Sequence, residues 1–168
     1  MTPDFGALLK ALHDARARFV VVDGMAMVSH GSAFVTADLD VCYDRSPANL
    51  EALAQALAPL HPRLRGAPPE LPFVLDARSL KAGLNFTLTT DAGDLDLLGE
   101  LSGVGGYEAV APNSQAFTLY GLEVRIMGLS DLIRAKEAAG REKDRLHLRE
   151  LREILKRRPP SGGGAGPA

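Results

Sequence analysis

Asp38 and Asp40 stand one residue apart in the run Thr36-Ala-Asp-Leu-Asp-Val-Cys-Tyr43, and Asp96 lies in a second apolar run, Gly93-Asp-Leu-Asp-Leu-Leu98. Side chains of an extended chain alternate between its two faces, so Asp38 and Asp40 point to the same side. Carboxylates within such runs are costly to bury unless they are paired or bound to a cation, and two on one face repel. A divalent cation relieves both costs. Hard cations such as Mg²⁺ or Mn²⁺ take oxygen ligands and leave coordination positions open to phosphate oxygens. A third carboxylate from a neighbouring strand would complete a one- or two-metal site suited to phosphoryl transfer. An isolated Asp-x-Asp is a common pattern that often does no more than cap a strand, so its surroundings decide its meaning.

Those surroundings divide into short elements. Apolar residues recur at helical spacing over residues 3–17, and Phe19-Val-Val-Val22 reads as a buried strand. Asp23-Gly24 breaks it, and Met25 to His30 fits one or two helical turns ended by Gly31-Ser32. Leu39 to Tyr43 is a second strand. Ser46 and Pro47 mark the start of a helix running to Leu60. Residues 61–72 form a proline-rich loop. Leu84–Thr89 with Asp94–Leu98, and Gln115–Leu119 with Leu122–Ile126, read as hairpins. The second turns at Tyr120-Gly121. Ser130 is placed to cap a helix ending at Gly140, and a last helix covers Glu142 to Lys156. The order implies an α+β domain over residues 1–157: a mixed sheet, helices mainly on one side, and a C-terminal helical element at 129–157. Residues 158–168 are expected to be a disordered, low-complexity tail.

Composition narrows the class. The chain has 168 residues, 46% of them hydrophobic, which suits one packed domain. The net charge of −2 suggests no nucleic-acid partner by itself. Charge is nevertheless uneven: Arg125 to Arg158 holds eleven Lys or Arg against six Asp or Glu, which fits either a solvated helical face or a surface for triphosphate or RNA. The single cysteine, Cys42, permits no intramolecular disulfide and suits a reducing cytoplasm. No apolar run is long enough to span a bilayer, and no membrane association is expected. His30 is expected to be a structural hydrogen-bonder. His13, His61 and His147 form no metal-ligand spacing. Gly103-Val-Gly-Gly106 reads as a turn, since no helix opening on Lys-Ser/Thr follows it.

The segment Gly24-Met-Ala26, His30-Gly31 and Thr36-Ala-Asp38-Leu-Asp40 resembles the first motif of the DNA polymerase β-like nucleotidyltransferase superfamily. In particular it is similar to the small prokaryotic branch that includes AbiEii-type toxins and minimal nucleotidyltransferases. Gly93-Asp-Leu-Asp96 resembles the strand carrying the third acidic residue of that superfamily. Leu129–Lys136 with Arg141–Asp144 resembles the C-terminal helical element of AbiEii-type members. The resemblance covers about residues 18–155. It implies a nucleotidyltransferase-like mixed sheet and a transferase that moves a nucleoside monophosphate from an NTP, ATP among them, to a hydroxyl of an RNA, protein or small-molecule acceptor. It implies Asp38, Asp40 and Asp96 as catalytic metal ligands for Mg²⁺ or Mn²⁺, with Gly24, Lys136, Arg141 and Asp144 on the nucleotide. A toxin–antitoxin setting with a cognate antitoxin partner would follow from the AbiEii-type likeness. Two positions depart from the pattern. Asp23 stands where relatives carry Gly or Ser and is expected to repel phosphate. Phe34-Val35 stands where many relatives carry an arginine. These departures keep open an alternative, a catalytically degenerate module on the same scaffold that binds a partner protein or RNA.

Overall fold

A computed structural model describes residues 2–158. The expected tail lies almost wholly outside the described residues; only Arg158 of it is described, and its side chain reaches the ring of His30. Strands β1 (Phe19–Val22), β2 (Asp38–Tyr43), β3 (Arg63–Leu64), β4 (Asn85–Thr90) and β5 (Gly93–Leu98) are followed by the short pair β6 (Glu100–Leu101) and β7 (Gly105–Gly106). Strands β8 (Gln115–Leu119) and β9 (Leu122–Ile126) close the series. The main sheet runs β3-β4-β5-β2-β1-β9-β8. β2 pairs antiparallel with β1 and parallel with β5, so the sheet is mixed as expected.

Helices α1 (Phe5–Asp14), α3 (Pro47–Leu57) and α4 (Ala77–Ala82) pack on one another, as do α2 (Asp23–Ser29), α6 (Leu129–Ala139) and α7 (Glu142–Arg157); α5 (Tyr107–Val110) is a single turn. β1 is buried along its whole length, and β2 along all but Asp38. Directly paired residues share a face of the sheet. One face therefore carries Leu39, Val41, Tyr43, Leu95 and Leu97, all fully buried. The other carries Asp38, Asp40, Asp94 and Asp96.

Ser46 is the N-cap residue of α3, as expected; its side chain makes no capping bond to the helix and instead donates to the Asp44 carboxylate (3.2 Å), as does its N–H (3.1 Å). Two local devices differ from the sequence expectation. Ser130 lies inside α6, whose N-cap is Gly128; a Cβ there would come within 2.5 Å of the Asn113 carbonyl oxygen, so close packing demands the glycine. The loop at 61–72 contains edge strand β3, and α4 begins at a capping box in which Asp76 accepts from Ser79 N–H (2.8 Å). The Tyr120-Gly121 turn is as expected, with both residues left-handed (φ 52° and 77°), as a two-residue hairpin of this kind requires.

Candidate active site

The register of β2 against β5 sets Asp38 beside Asp94 and Asp40 beside Asp96. Asp38, Asp40 and Asp96 each offer a carboxylate oxygen, and these oxygens lie within 4.8 Å of one another. Thr36 braces the first of them: its hydroxyl donates to the Asp38 carbonyl (2.8 Å) and accepts from the Asp38 N–H (3.3 Å). Asp40 is only 7% exposed. Burial, then the charges of Asp23 and Asp96, a hydrogen bond shared with Asp96, and Asp38, push its carboxyl up to about 8. Asp38 is also raised, chiefly by burial, with Arg65 opposing. An all-oxygen donor set, crowded enough to hold back ionisation, fits a hard divalent cation, which would replace the proton as the source of relief.

Two basic groups flank the carboxylates. On the α6 side, Lys136 Nζ donates to Asp23 Oδ1 (2.6 Å) and lies 3.4 Å from Asp144 Oδ1. Lys136 and Asp144 are both buried, although α7 is otherwise strongly charged. Arg141 donates to the same carboxylate from Nε (2.8 Å) and from its backbone N–H (3.0 Å). Although burial opposes it, the bonds from Arg141 and the Lys136 charge hold Asp144 down at about 2. Lys136 is thus no exposed helix charge. The acid that explains it comes from tertiary contacts rather than from a position four residues on. Asp23 is paired through its carboxylate with Lys136, and its charge still bears on Asp40. Its backbone is left-handed (φ 52°), a conformation suited to the glycine of the resembled motif. Gly24 is buried, and a Cβ would meet Thr36 Oγ1 at 2.6 Å and the Phe34 ring at 3.1 Å. Its small size thus lets α2 dock on the segment that carries Thr36 and Asp38.

On the opposite side, Arg65 reaches across from the end of β3. Its Nη2 donates to Asp96 Oδ1 (2.7 Å), Nε lies 3.3 Å from Asp94, and Nη1 lies 3.8 Å from Asp38. Sequence reading missed this residue. Its only cue was the alternation Arg63-Leu-Arg65, too short to distinguish from loop. His147 was also set aside. It lies one turn beyond Asp144 on α7, stacks edge-on against Phe34 (centroids 4.9 Å apart), and has a buried Nδ1 with no hydrogen-bond partner among the described residues. Its i,i+3 spacing from Asp144 was the available signal. Phe34 thus packs between Gly24 and His147.

His30 is structural, as expected: its Nε2–H donates to the Met127 carbonyl (2.7 Å), and burial lowers its pKa. Cys42 is a buried thiol pushed up to about 12 by desolvation, hence unreactive. Gly103 and Val104 lie in the turn between β6 and β7, and Gly105–Gly106 is β7 itself.

Neither protein-family profiles nor curated proteins match the chain. Solved structures do. A crystal structure from Thermotoga maritima, of a protein itself only proposed to be a nucleotidyltransferase, covers 89% of this chain and 91% of its own, with a TM-score of 0.53 at 15% identity. The fold is therefore nucleotidyltransferase-like. The likeness is one of fold; the narrower AbiEii-type resemblance rests on motifs alone. Among the described residues no helix is long and apolar enough to cross a membrane.

Proposed function

We propose that the protein is a divalent-metal-dependent nucleotidyltransferase. The observation that carries the reading is the convergence of Asp38, Asp40 and Asp96 from two adjacent strands. These three would hold Mg²⁺ or Mn²⁺, which when bound neutralises charge on the triphosphate and on the acceptor oxygen. The nucleotide would lie on the α6 side, where Lys136 and Arg141 offer cations and Gly24 lets α2 come close. Asp144 would orient both cations. A recess of about 140 Å³ there has Val22, Leu98 and Leu132 as walls and Asp23, Lys136 and Arg141 as polar groups. The acceptor hydroxyl would attack the α-phosphorus in line. The bond to the bridging oxygen of the β-phosphate breaks, pyrophosphate leaves with that electron pair, and the hydroxyl proton passes to Asp96 and on to solvent. RNA, protein and small molecules are all acceptors within this chemistry, and the AbiEii-type motifs suggest a toxin paired with an antitoxin in the cytoplasm. Incubation with α-labelled NTPs, Mg²⁺ and candidate acceptors tests the reading. Transfer by wild type should fall by on the order of a thousandfold in Asp38→Ala; equal transfer by the two would refute it.

The Asp23–Lys136 pair favours a second reading, a binding module that has lost catalysis, because it occupies the cation a triphosphate would need. Asp23→Gly separates the two. For an enzyme, the variant frees Lys136 and places glycine in a left-handed position, so calorimetry should show Mg²⁺·NTP binding tightened on the order of tenfold. A degenerate module would show no Mg²⁺-dependent binding in either form.

A further inference from the structure

Two recesses flank the aspartates on the same face of the sheet. The first is the one beside Lys136. The second, about 470 Å³, lies under the proline-rich segment and is lined by Pro62, Arg63, Arg65, Pro68, Leu71 and Phe73 among others. Its floor is continuous with the acidic face: Thr89, also in its lining, pairs with Asp94 in the sheet and donates to that carboxylate (3.0 Å). Resting on the reading above, a two-substrate reaction needs a second site next to the metal ligands, on the side the nucleotide leaves free.

We propose that this groove is the acceptor site, and that its ligand is a single-stranded nucleic-acid end carrying a phosphate next to the accepting hydroxyl. Arg65 spans from the groove to Asp96, and its buried Nε, 3.3 Å from the Asp94 carboxylate, is ion-paired there without completing a hydrogen bond among the described residues. A divalent cation held by Asp38 and Asp96 would compete with Arg65 for the same carboxylates and repel it, which would leave the guanidinium free to meet an anion in the groove. A planar fork of donors suits a phosphate. Arg63 adds a second cation, at present paired with Asp91 (3.3 Å). Phe73 and the prolines offer flat apolar surface on which a base can lie. The same arginines disfavour a polycationic acceptor such as an aminoglycoside.

The test is fluorescence anisotropy of the full-length protein with a fluorescein-labelled oligoribonucleotide of about six residues, in Mg²⁺ and a non-hydrolysable NTP analogue. Calorimetry of the analogue alone runs alongside. Wild type should bind the oligonucleotide. Arg65→Ala should weaken it at least about tenfold and reduce the salt slope by about 0.7, as expected for one lost single-strand phosphate contact. Arg65→Lys should fall between them, and Phe73→Ala should weaken binding without changing the slope. Thermal melts in Mg²⁺ establish that each variant is folded; should Arg65→Ala not fold, Arg65→Lys and Phe73→Ala carry the test. Oligonucleotide binding unchanged in these variants, or displaced by a hydroxyl-bearing peptide or an aminoglycoside, would overturn the proposal. Analogue binding without oligonucleotide binding overturns the acceptor assignment alone, whereas loss of both overturns the nucleotidyltransferase reading with it.

Discussion

Lys136→Met is expected to lower stability by about 3 kcal/mol, because it leaves buried carboxylate charge without its ammonium partner. Asp144 is fully buried and keeps only Arg141, while Asp23 remains in a left-handed backbone with no cation to hold it. In thermal melts a loss of that size is roughly 10 °C for a chain of this length. The paired variant Lys136→Met/Asp144→Leu should recover part of the loss, since it removes both buried charges and leaves unpaired only the part-exposed Asp23 and Arg141, which water can solvate. The same cluster sets an acid limit. Asp144 titrates at about 2 in the fold and at 3.8 in its ordinary state. A depressed carboxylate contributes stability that is present above the ordinary value and is lost as pH falls through the folded one. Wild type should therefore weaken between about pH 4 and pH 2 by on the order of 2 kcal/mol, and Asp144→Leu in the paired background should lack that component.

Asp40→Asn is expected to have the opposite effect on the metal-free protein and the largest effect on function. The Asp40 carboxyl is pushed from 3.8 to about 8, so across that interval the folded chain holds a proton that the unfolded chain has released. Stability from this group falls as pH rises from about 4, and the full cost is present above about pH 8. Asparagine keeps the shape without the charge. Without metal at about pH 9, the variant should be more stable than wild type by on the order of 2 kcal/mol or more. Mg²⁺ or Mn²⁺ should stabilise wild type, because binding to the folded state alone shifts unfolding, and should add little to the variant. Denaturant titrations with and without Mn²⁺ measure both effects. Equal metal stabilisation of the two proteins would remove Asp40 from the ligand set.

The aspartates were legible because a period of two is the simplest pattern a strand imposes, and β2 and β5 are long enough to display it. β1 and the β8–β9 hairpin were legible for the same reason, helped by Tyr120-Gly121. Helix α4, with one turn and a half, was missed although Asp76 and Ser79 spell its cap. Strand β3 was missed because two residues carry no periodicity, and Arg65 was missed with it. Lys136 and Asp144 came into view only through resemblance to known motifs. Local spacing on a helix does not reveal a partner that lies on α2, more than a hundred residues away in the chain. Asp23 shows the limit most clearly. Its type suggested repulsion of phosphate; that Lys136 pairs with it is a tertiary fact that type and local spacing do not reveal.

The most direct test is calorimetric titration of Mn²⁺ together with a non-hydrolysable NTP into wild type and Asp40→Asn at about neutral pH. Wild type should bind the nucleotide only when the metal is present, and the variant should lose on the order of a hundredfold in affinity, as expected when a hard cation loses its most buried carboxylate. Equal binding by the two proteins, or nucleotide binding by wild type that ignores the metal, would contradict the assignment of Asp38, Asp40 and Asp96 as a metal-nucleotide site.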